Sequence, residues 1–283
     1  MAKEKKGKKK EMNKEVKDEI VEEEKIAEIE APLIEPKTPE EEAKIIKDEL
    51  KKKAVDVSAW KPKTLIGRKV KLGEIRDVKE ILDGGVPILE SEIVDALCPG
   101  LDTDLLMIGQ SKGKFGGGQR RVFRQTQKKT KEGNKPKFST YAVVGDKAGI
   151  VGVGYGKSKE TVPAREKALR NAKLNIIHVK RGCGSWQCGC GTAHSLPFAV
   201  EGRCGSVRMK LLPAPKGTGL VCASDVAKIL QLAGIKDVWS ATEGKTSNRI
   251  NLINATLEAL RKIGNTKIQQ KFAIAVGLEG ANK

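Results

Sequence analysis

The sequence predicts an α+β protein of two sheet-and-helix domains, preceded by a helical extension and a charged tail. Three observations carry that prediction. Short strand-like runs bounded by turn residues occur twice, between Val122 and Gly156 and again between Ser195 and Pro213. Each set is followed by segments in which small or aliphatic residues recur at helical spacing. The 283 residues are 39% hydrophobic and only 4% aromatic, enough for two domains with small aliphatic cores.

Residues 1–60 hold 15 basic and 17 acidic residues, broken by Pro32, Pro36 and Pro39. So little apolar surface does not offset the entropy of ordering, and a mobile tail is expected. Within it, Ala43, Ile45, Ile46 and Leu50 form a weak helical stripe over residues 40–53. Residues 61–114 read as a helical extension: Ile75, Val78 and Leu82 have near-heptad spacing, Gly84 and Gly85 stop the run, and a second short helix covers 90–97. Its apolar stripe is too small to fold alone, so it should pack on the main body.

The first domain spans 115–182. VFRQTQ, a basic polar loop over 128–137, FSTYAVVG, a turn at DKAG and then IVGVGYG make three antiparallel strands in a row. In the third, Val151, Val153 and Tyr155 share one face, while Gly152, Gly154 and Gly156 leave the other bare. A helix over 160–175 offers Ala164, Ala168 and Ala172 at i, i+4 and i+8 to that bare face, with Pro163 in its first turn. The result is close to the sheet-and-helix arrangement of double-stranded-RNA-binding domains.

A Cys-rich linker covers 183–194, and the second domain, of βαβ type, spans 195–270. Here SLPFAV and SVRMKLLP read as strands, and 224–233 as a helix capped by Ser224 and stopped by Gly234. KDVWSA makes a short strand, and a helix over 251–263 places Ile253, Leu257 and Leu260 on one side. Residues 271–283 read as a C-terminal tail.

The formal charge is +18, and since the first sixty residues sum to −2, the folded part carries +20. A field of one sign on that scale favours a polyanion, with nucleic acid the first candidate. The richest stretch holds Lys112, Lys114, Arg120, Arg121, Arg124, Lys128, Lys129, Lys131, Lys135 and Lys137 against the single acid Glu132. Gly116, Gly117 and Gly118 let the backbone approach a phosphate ladder, which favours phosphate binding over a loop that is merely solvated. No run approaches the roughly 18 apolar residues of a membrane span, and MAKEKKGKKK is not followed by the core of a signal peptide, so a cytosolic protein is expected.

Two nucleotide-binding motifs fail on inspection. GYGKS lacks the glycine that a phosphate loop needs five places before Gly156, where Val151 stands, and after Gly152 and Gly154 the third position of the dinucleotide fingerprint is Lys157. Cys183, Cys188, Cys190 and His194 fall within CGSWQCGCGTAH, and four such ligands could enclose a tetrahedral zinc ion, with Cys204 a substitute ligand. The Cys-x-Cys pair lacks the usual two-residue knuckle, so the alternative of free thiols in a glycine loop packed on RNA or on the adjacent domain stays open. His178 and His194 have no triad partners nearby in sequence and no paired carboxylates mark a cleft, so no enzyme is expected.

FSTYAVVGDKAGIVGVGYGKSKE, AKLNIIHVKRG, GSVRMKLLPAPKGTGL, LQLAGIKDVWS and ATLEALRKI together resemble, in order and spacing, the S-five family of small-subunit ribosomal proteins. The resemblance covers residues 115–263. GSWQCGCGTAHSLPF and the helical segment before Lys112 resemble the archaeal and eukaryotic branch, the cysteines its archaeal members. The resemblance implies a double-stranded-RNA-binding-like first domain and a second domain of left-handed βαβ character. It also implies binding to small-subunit ribosomal RNA near the decoding region and contacts with ribosomal proteins S-four and S-eight. With S-three and S-four, family members line the messenger entry channel and support decoding accuracy. On matching positions the RNA contacts would come from the basic loop from Arg120 to Lys137, from Lys157, Lys180 and Arg181 at the border of the first domain, and from Lys216 in PAPKGTGL. The loop here is longer and richer in lysine than the short glycine-and-arginine loop typical of bacterial members.

Overall fold

The computed structural model describes residues 60–111 and 120–278. The expected tail over 1–59 with its helical stripe, and the basic residues Lys112 and Lys114, lie outside the described residues. Everything described falls within one compact unit, residues 52–283. Among the described residues no helix is long and apolar enough to cross a membrane.

The extension folds as three short helices, α1 (Leu65–Leu72), α2 (Val78–Asp83) and α3 (Ser91–Leu97). The Thr64 hydroxyl caps α1 by accepting from the Gly67 N–H at 3.1 Å, and Gly73 ends it at φ 79°. Glu90 ties the ends of the extension together. Its carboxylate accepts from the Trp60 indole at 2.9 Å and from the backbone N–H groups of Lys63 and Thr64 at 2.9 and 2.7 Å. Val78, Ile81, Ile88, Ile93 and Val94 cluster with Ile150 and Ile176 of the first sheet, which gives the extension the support its own small stripe lacks.

Strand β1 (Asp102–Leu106) follows, inside the segment read as helical. It pairs antiparallel with the inner half of β3, from Asp102 opposite Gly145 to Leu106 opposite Tyr141. DTDLL is too short to display a period of its own, and the edge of the sheet decides its conformation. Strands β2 (Arg124–Thr130), β3 (Gly133–Gly145) and β4 (Ile150–Ser158) are antiparallel in order, and β5 (Ile176–His178), in a stretch between the expected helix and the linker to which no element was assigned, closes the far edge. Helix α4 (Thr161–Leu174) lies on β4. A Cβ at Gly154 would land on the Ala172 nitrogen and the Ala168 carbonyl oxygen, and one at Gly156 on the Ala164 carbonyl oxygen. The small-residue seat expected from the sequence is therefore present.

The second sheet has the order β6 (Val200–Cys204), β7 (Val207–Pro213), β9 (Val238–Glu243), β8 (Leu220–Val221). The first two form a hairpin, whereas β8 and β9 are parallel and joined through α5 (Ser224–Leu232), a βαβ crossover. Ser224 opens this helix as its first residue; Ala223 holds the cap position, so the expected serine cap is absent. The α5 helix ends before Gly234 at φ 79°. Of SLPFAV only its last residue, Val200, joins a strand. Helix α6 (Arg249–Asn265) packs on β6 and β7, and α7 (Gln270–Ala275) occupies the start of the segment read as a tail.

One apolar cluster runs through both sheets. Leu106, Tyr141, Val143, Val151 and Val153 of the first sheet meet Val207, Met209 and Leu211 of β7, Ile229 and Leu230 of α5, and Ile253 and Leu260 of α6. At roughly 1.5–3 kcal/mol per fully buried large aliphatic side chain, this shared cluster is the main source of stability.

Candidate nucleic-acid interface and metal centre

The segment 128–137, expected to be a loop, is a regular hairpin. Thr130 pairs with Gly133, so only Lys131 and Glu132 form the turn, and Gly133 supplies φ 110° on the return. The arm carries Lys128 directly opposite Lys135 and Thr126 opposite Lys137. Residues two apart share a face, so Lys128, Lys135 and Lys137 project together. Lys135 has an ion pair with Glu132, yet both are exposed. Like charges directly opposite on a ladder are unfavourable, and nothing apolar is buried in the outer half of β3 to offset them. Such an array is suited to a ladder of phosphates.

The structure gathers several predicted residues into grooves. Lys137 and Lys157 line one groove together with Lys159 and Lys167, which the sequence reading did not single out. Arg120 and Arg124 meet Lys245 and Arg249 in a second, and Lys180 meets Arg261 and Lys267 in a third, beside His178 and Asp83. Lys159 and Lys167 could have been found from their closeness to GYGKS, Lys159 directly after it and Lys167 within the helix that follows. The other additions come from segments remote in sequence, and no local signal joins them. Arg121 lies exposed after the Ser111–Arg120 bridge, and Lys129 and Lys131 stand exposed near the arm tip. Arg181 points elsewhere: its guanidinium donates to the carbonyls of Lys147 and Gly234, both at 3.2 Å. Lys216 is exposed in the loop between β7 and β8.

The Cys-rich loop closes on itself. Gly182 and Ser195 form an isolated antiparallel bridge at its base, and Gly184 donates to the Leu196 carbonyl at 2.9 Å. The Cys183 N–H donates to the Val276 carbonyl at 2.7 Å, joining the loop to the end of α7. Inside, the ligand atoms of Cys183, Cys188, Cys190 and His194 all lie within 4.8 Å of one another. Cys190 Sγ is 3.5 Å from Cys183 Sγ, while His194 Nε2 is 3.4 Å from Cys183 Sγ and 3.8 Å from Cys188 Sγ. A tetrahedron with zinc–sulfur bonds near 2.3 Å has sulfur–sulfur edges of about 3.8 Å and slightly shorter sulfur–nitrogen edges. The donor set and its spacing therefore fit a tetrahedral cation. Cys204, held apart in β6, is not part of this group.

Thiol acidities differ across the group. Hydrogen bonding from the Thr192 hydroxyl, then from its backbone, holds Cys190 down at about 6, whereas burial pushes Cys183 up to about 11. Behind the histidine lies a carboxylate that sequence reading missed. Asp237 Oδ2 is 2.7 Å from His194 Nδ1, and both side chains are only 6% exposed. A carboxylate behind a metal-bound imidazole fixes its tautomer and raises its basicity as a ligand. His194 and Asp237 are far apart in sequence, and only the fold joins them.

The family described as "Ribosomal protein S5, N-terminal domain" matches residues 122–180, and "Ribosomal protein S5, C-terminal domain" matches 202–272. A relative from Nanoarchaeum equitans, named small ribosomal subunit protein uS5, is 49% identical over 218 residues, 77% of this chain and 94% of its own. Proteins of the same name from Methanocaldococcus jannaschii and Aeropyrum pernix are 48% and 51% identical, over 79% and 73% of this chain and 96% and 88% of their own. With both domains matched and archaeal relatives covering most of its length, the chain belongs to the ribosomal protein S5 family, whose members are structural, non-enzymatic proteins of the small ribosomal subunit in the cytoplasm.

Proposed function

We propose that this protein binds small-subunit ribosomal RNA near the decoding region and the messenger entry channel, and supports translational accuracy there. The observation that carries this is the lysine-faced arm, where Lys128, Lys135 and Lys137 share a face with no apolar burial to maintain. Arg120, Arg121, Arg124, Lys129, Lys131 and Lys157 extend the same basic surface, Lys180 and Lys216 add contacts on the flanks, and Lys112 and Lys114 belong to the same basic stretch. Arg181 shapes the surface through its two carbonyl contacts. Ribosomal proteins S-four and S-eight are its neighbours, with S-three at the entry channel. Cys183, Cys188, Cys190 and His194 hold one zinc ion, a reading supported by the tetrahedral spacing of their donor atoms.

Most contacts of such a surface neutralise phosphates, so affinity falls steeply with salt and the folded shape of the RNA supplies selectivity. The test is reconstitution of small subunits with the triple variant Lys128→Gln, Lys135→Gln, Lys137→Gln. The expected result is release from the particle at lower salt than wild type, together with increased misreading in a translation assay. Unchanged salt resistance would remove the arm from the interface. Zinc analysis of subunits carrying Cys188→Ser, Cys190→Ser should show one ion fewer per particle, and an unchanged count would end the metal reading.

A further inference from the structure

We propose that the metal at the Cys-and-His centre also sets the conformation of the loop at residues 215–219, acting through His194 and Asp237, so that metal occupancy governs how Lys216 is presented to RNA. This rests on the zinc reading above. Within the loop, Pro215-Lys216-Gly217-Thr218-Gly219, the Thr218 hydroxyl and N–H both donate to the Pro215 carbonyl, at 2.8 and 3.3 Å, which leaves the amides of the two glycines for a partner outside it. Its two glycines take φ values of 93° and 75°, and a Cβ at either would meet open space. One carboxylate oxygen takes both of their amides: Asp237 Oδ1 accepts from the N–H groups of Gly217 at 3.1 Å and Gly219 at 2.9 Å, while the Gly219 carbonyl accepts from the Val238 N–H at 3.1 Å. The other oxygen of that carboxylate faces His194 Nδ1.

The geometry forms a chain from cation to loop. A metal on Nε2 leaves the imidazole proton on Nδ1, where it is donated to Asp237. Without the metal, Nε2 faces the sulfur atoms of Cys183 and Cys188 and the tautomer is no longer fixed. Asp237 then loses an assured donor while remaining 4% exposed, so rotation of its side chain away from the two glycine amides costs less. The backbone reinforces the route, since the N–H groups of Lys236 and Asp237 donate to the His194 carbonyl at 2.9 and 3.2 Å, and the Ser195 hydroxyl bridges the Asp237 carbonyl and the Ala214 N–H. Asp237 is thus a positioning residue shared by a metal centre and an RNA-facing loop.

The experiment uses the full-length chain, reduced and stripped of metal, then titrated with cobalt as a spectroscopic stand-in for zinc. Thiolate-to-cobalt and tetrahedral visible bands report the centre, while amide hydrogen exchange at Gly217 and Gly219 reports the loop. Metal addition is expected to slow exchange at both glycines by about tenfold or more, the scale on which outer-shell partners couple to a metal. Asp237→Asn keeps an oxygen for the glycine amides but sets an amide donor against Nδ1–H. It should bind cobalt about 10–100-fold more weakly and, once saturated, no longer transmit metal binding to the glycines. The Cys188→Ser, Cys190→Ser variant, checked for folding by circular dichroism, should lack the cobalt bands and keep the two amides in fast exchange. If wild type gives no cobalt bands, the zinc reading falls and this inference with it. If the bands form but exchange at Gly217 and Gly219 does not change, or if Asp237→Asn still transmits, the coupling is refuted while the metal centre stands.

Discussion

The two halves of strand β3 belong to the same ladder and do opposite work. From Gly133 to Lys137 every residue is exposed, whereas from Ser139 to Gly145 every residue is buried. In the inner half, Ala142 and Val144 pack toward Ala168 and Ala172 of α4, while Tyr141 and Val143 enter the cluster shared with the second sheet. With both faces covered, the run reads as continuous apolar sequence and not as alternation. The outer half has neither face covered and is kept regular by pairing with β2 and a two-residue turn. Stability is invested in one half and charge in the other, so substitutions in the two should separate cleanly into folding defects and binding defects.

The largest effect is expected where the inner half is most crowded. Gly154, opposite Ala142 in the register, lies under α4 with backbone atoms on the path of any Cβ. Gly154→Ala should destabilise the protein by about 3 kcal/mol, the upper end of the usual cost of overpacking, because neither helix nor strand backbone can yield locally. Urea unfolding measures it; a change below about 1 kcal/mol would mean that α4 shifts easily on the sheet. Next comes the opposite error, a hole. Val143 is fully buried, and Val143→Ala removes two methyl groups from the shared cluster, a loss of about 2 kcal/mol by transfer and cavity costs together.

How far these features were legible in sequence follows the same division. The glycines of β4 and the alanines of α4 declared their contact through spacing, because each lies in one element with a plain period. The basic arm declared its charge, but not its regular pairing: Lys, Gln, Thr and Asn carry no apolar period, and the ladder is enforced by the tight turn and the partner strand. Strand β1 was invisible for a similar reason. The four metal-site side chains were legible because they fall within one short stretch, whereas Asp237 was not, since it enters through a parallel crossover more than forty residues later. Local patterns can show which residues carry chemistry, and the tertiary fold shows which of them are held in place.

A weaker but more discriminating test addresses the outer half. The triple variant Lys128→Gln, Lys135→Gln, Lys137→Gln should change unfolding free energy by less than about 0.5 kcal/mol, because these side chains bury nothing and one like-charge pair is relieved. Its affinity for ribosomal RNA should fall all the same. The slope of log affinity against log salt should become shallower by about 2–3, the sum of three phosphate contacts at about 0.7–0.9 each. If the loss instead appears in stability, the arm is a structural strand and the division between the two halves of β3 fails.

The smallest effect concerns the extension that covers the sheet's far side through Ile150 and Ile176. Burial pushes the Glu90 carboxyl up, but hydrogen bonds from the Thr64 and Lys63 backbone and the Trp60 indole outweigh it and hold the group below the ordinary carboxylate range. A carboxylate with a depressed folded pKa contributes stability that is present above its unfolded pKa and is lost as pH falls through the folded one. Acidification below the ordinary carboxylate range should therefore loosen α1 and the Trp60 segment first, leaving the inner half of β3 protected. Trp60 fluorescence against pH, read beside amide exchange in β3, resolves the two events. In Glu90→Gln the fluorescence step should disappear, because no charge remains to titrate at that position; a step that survives would assign the transition to another carboxylate and detach the extension's stability from Glu90.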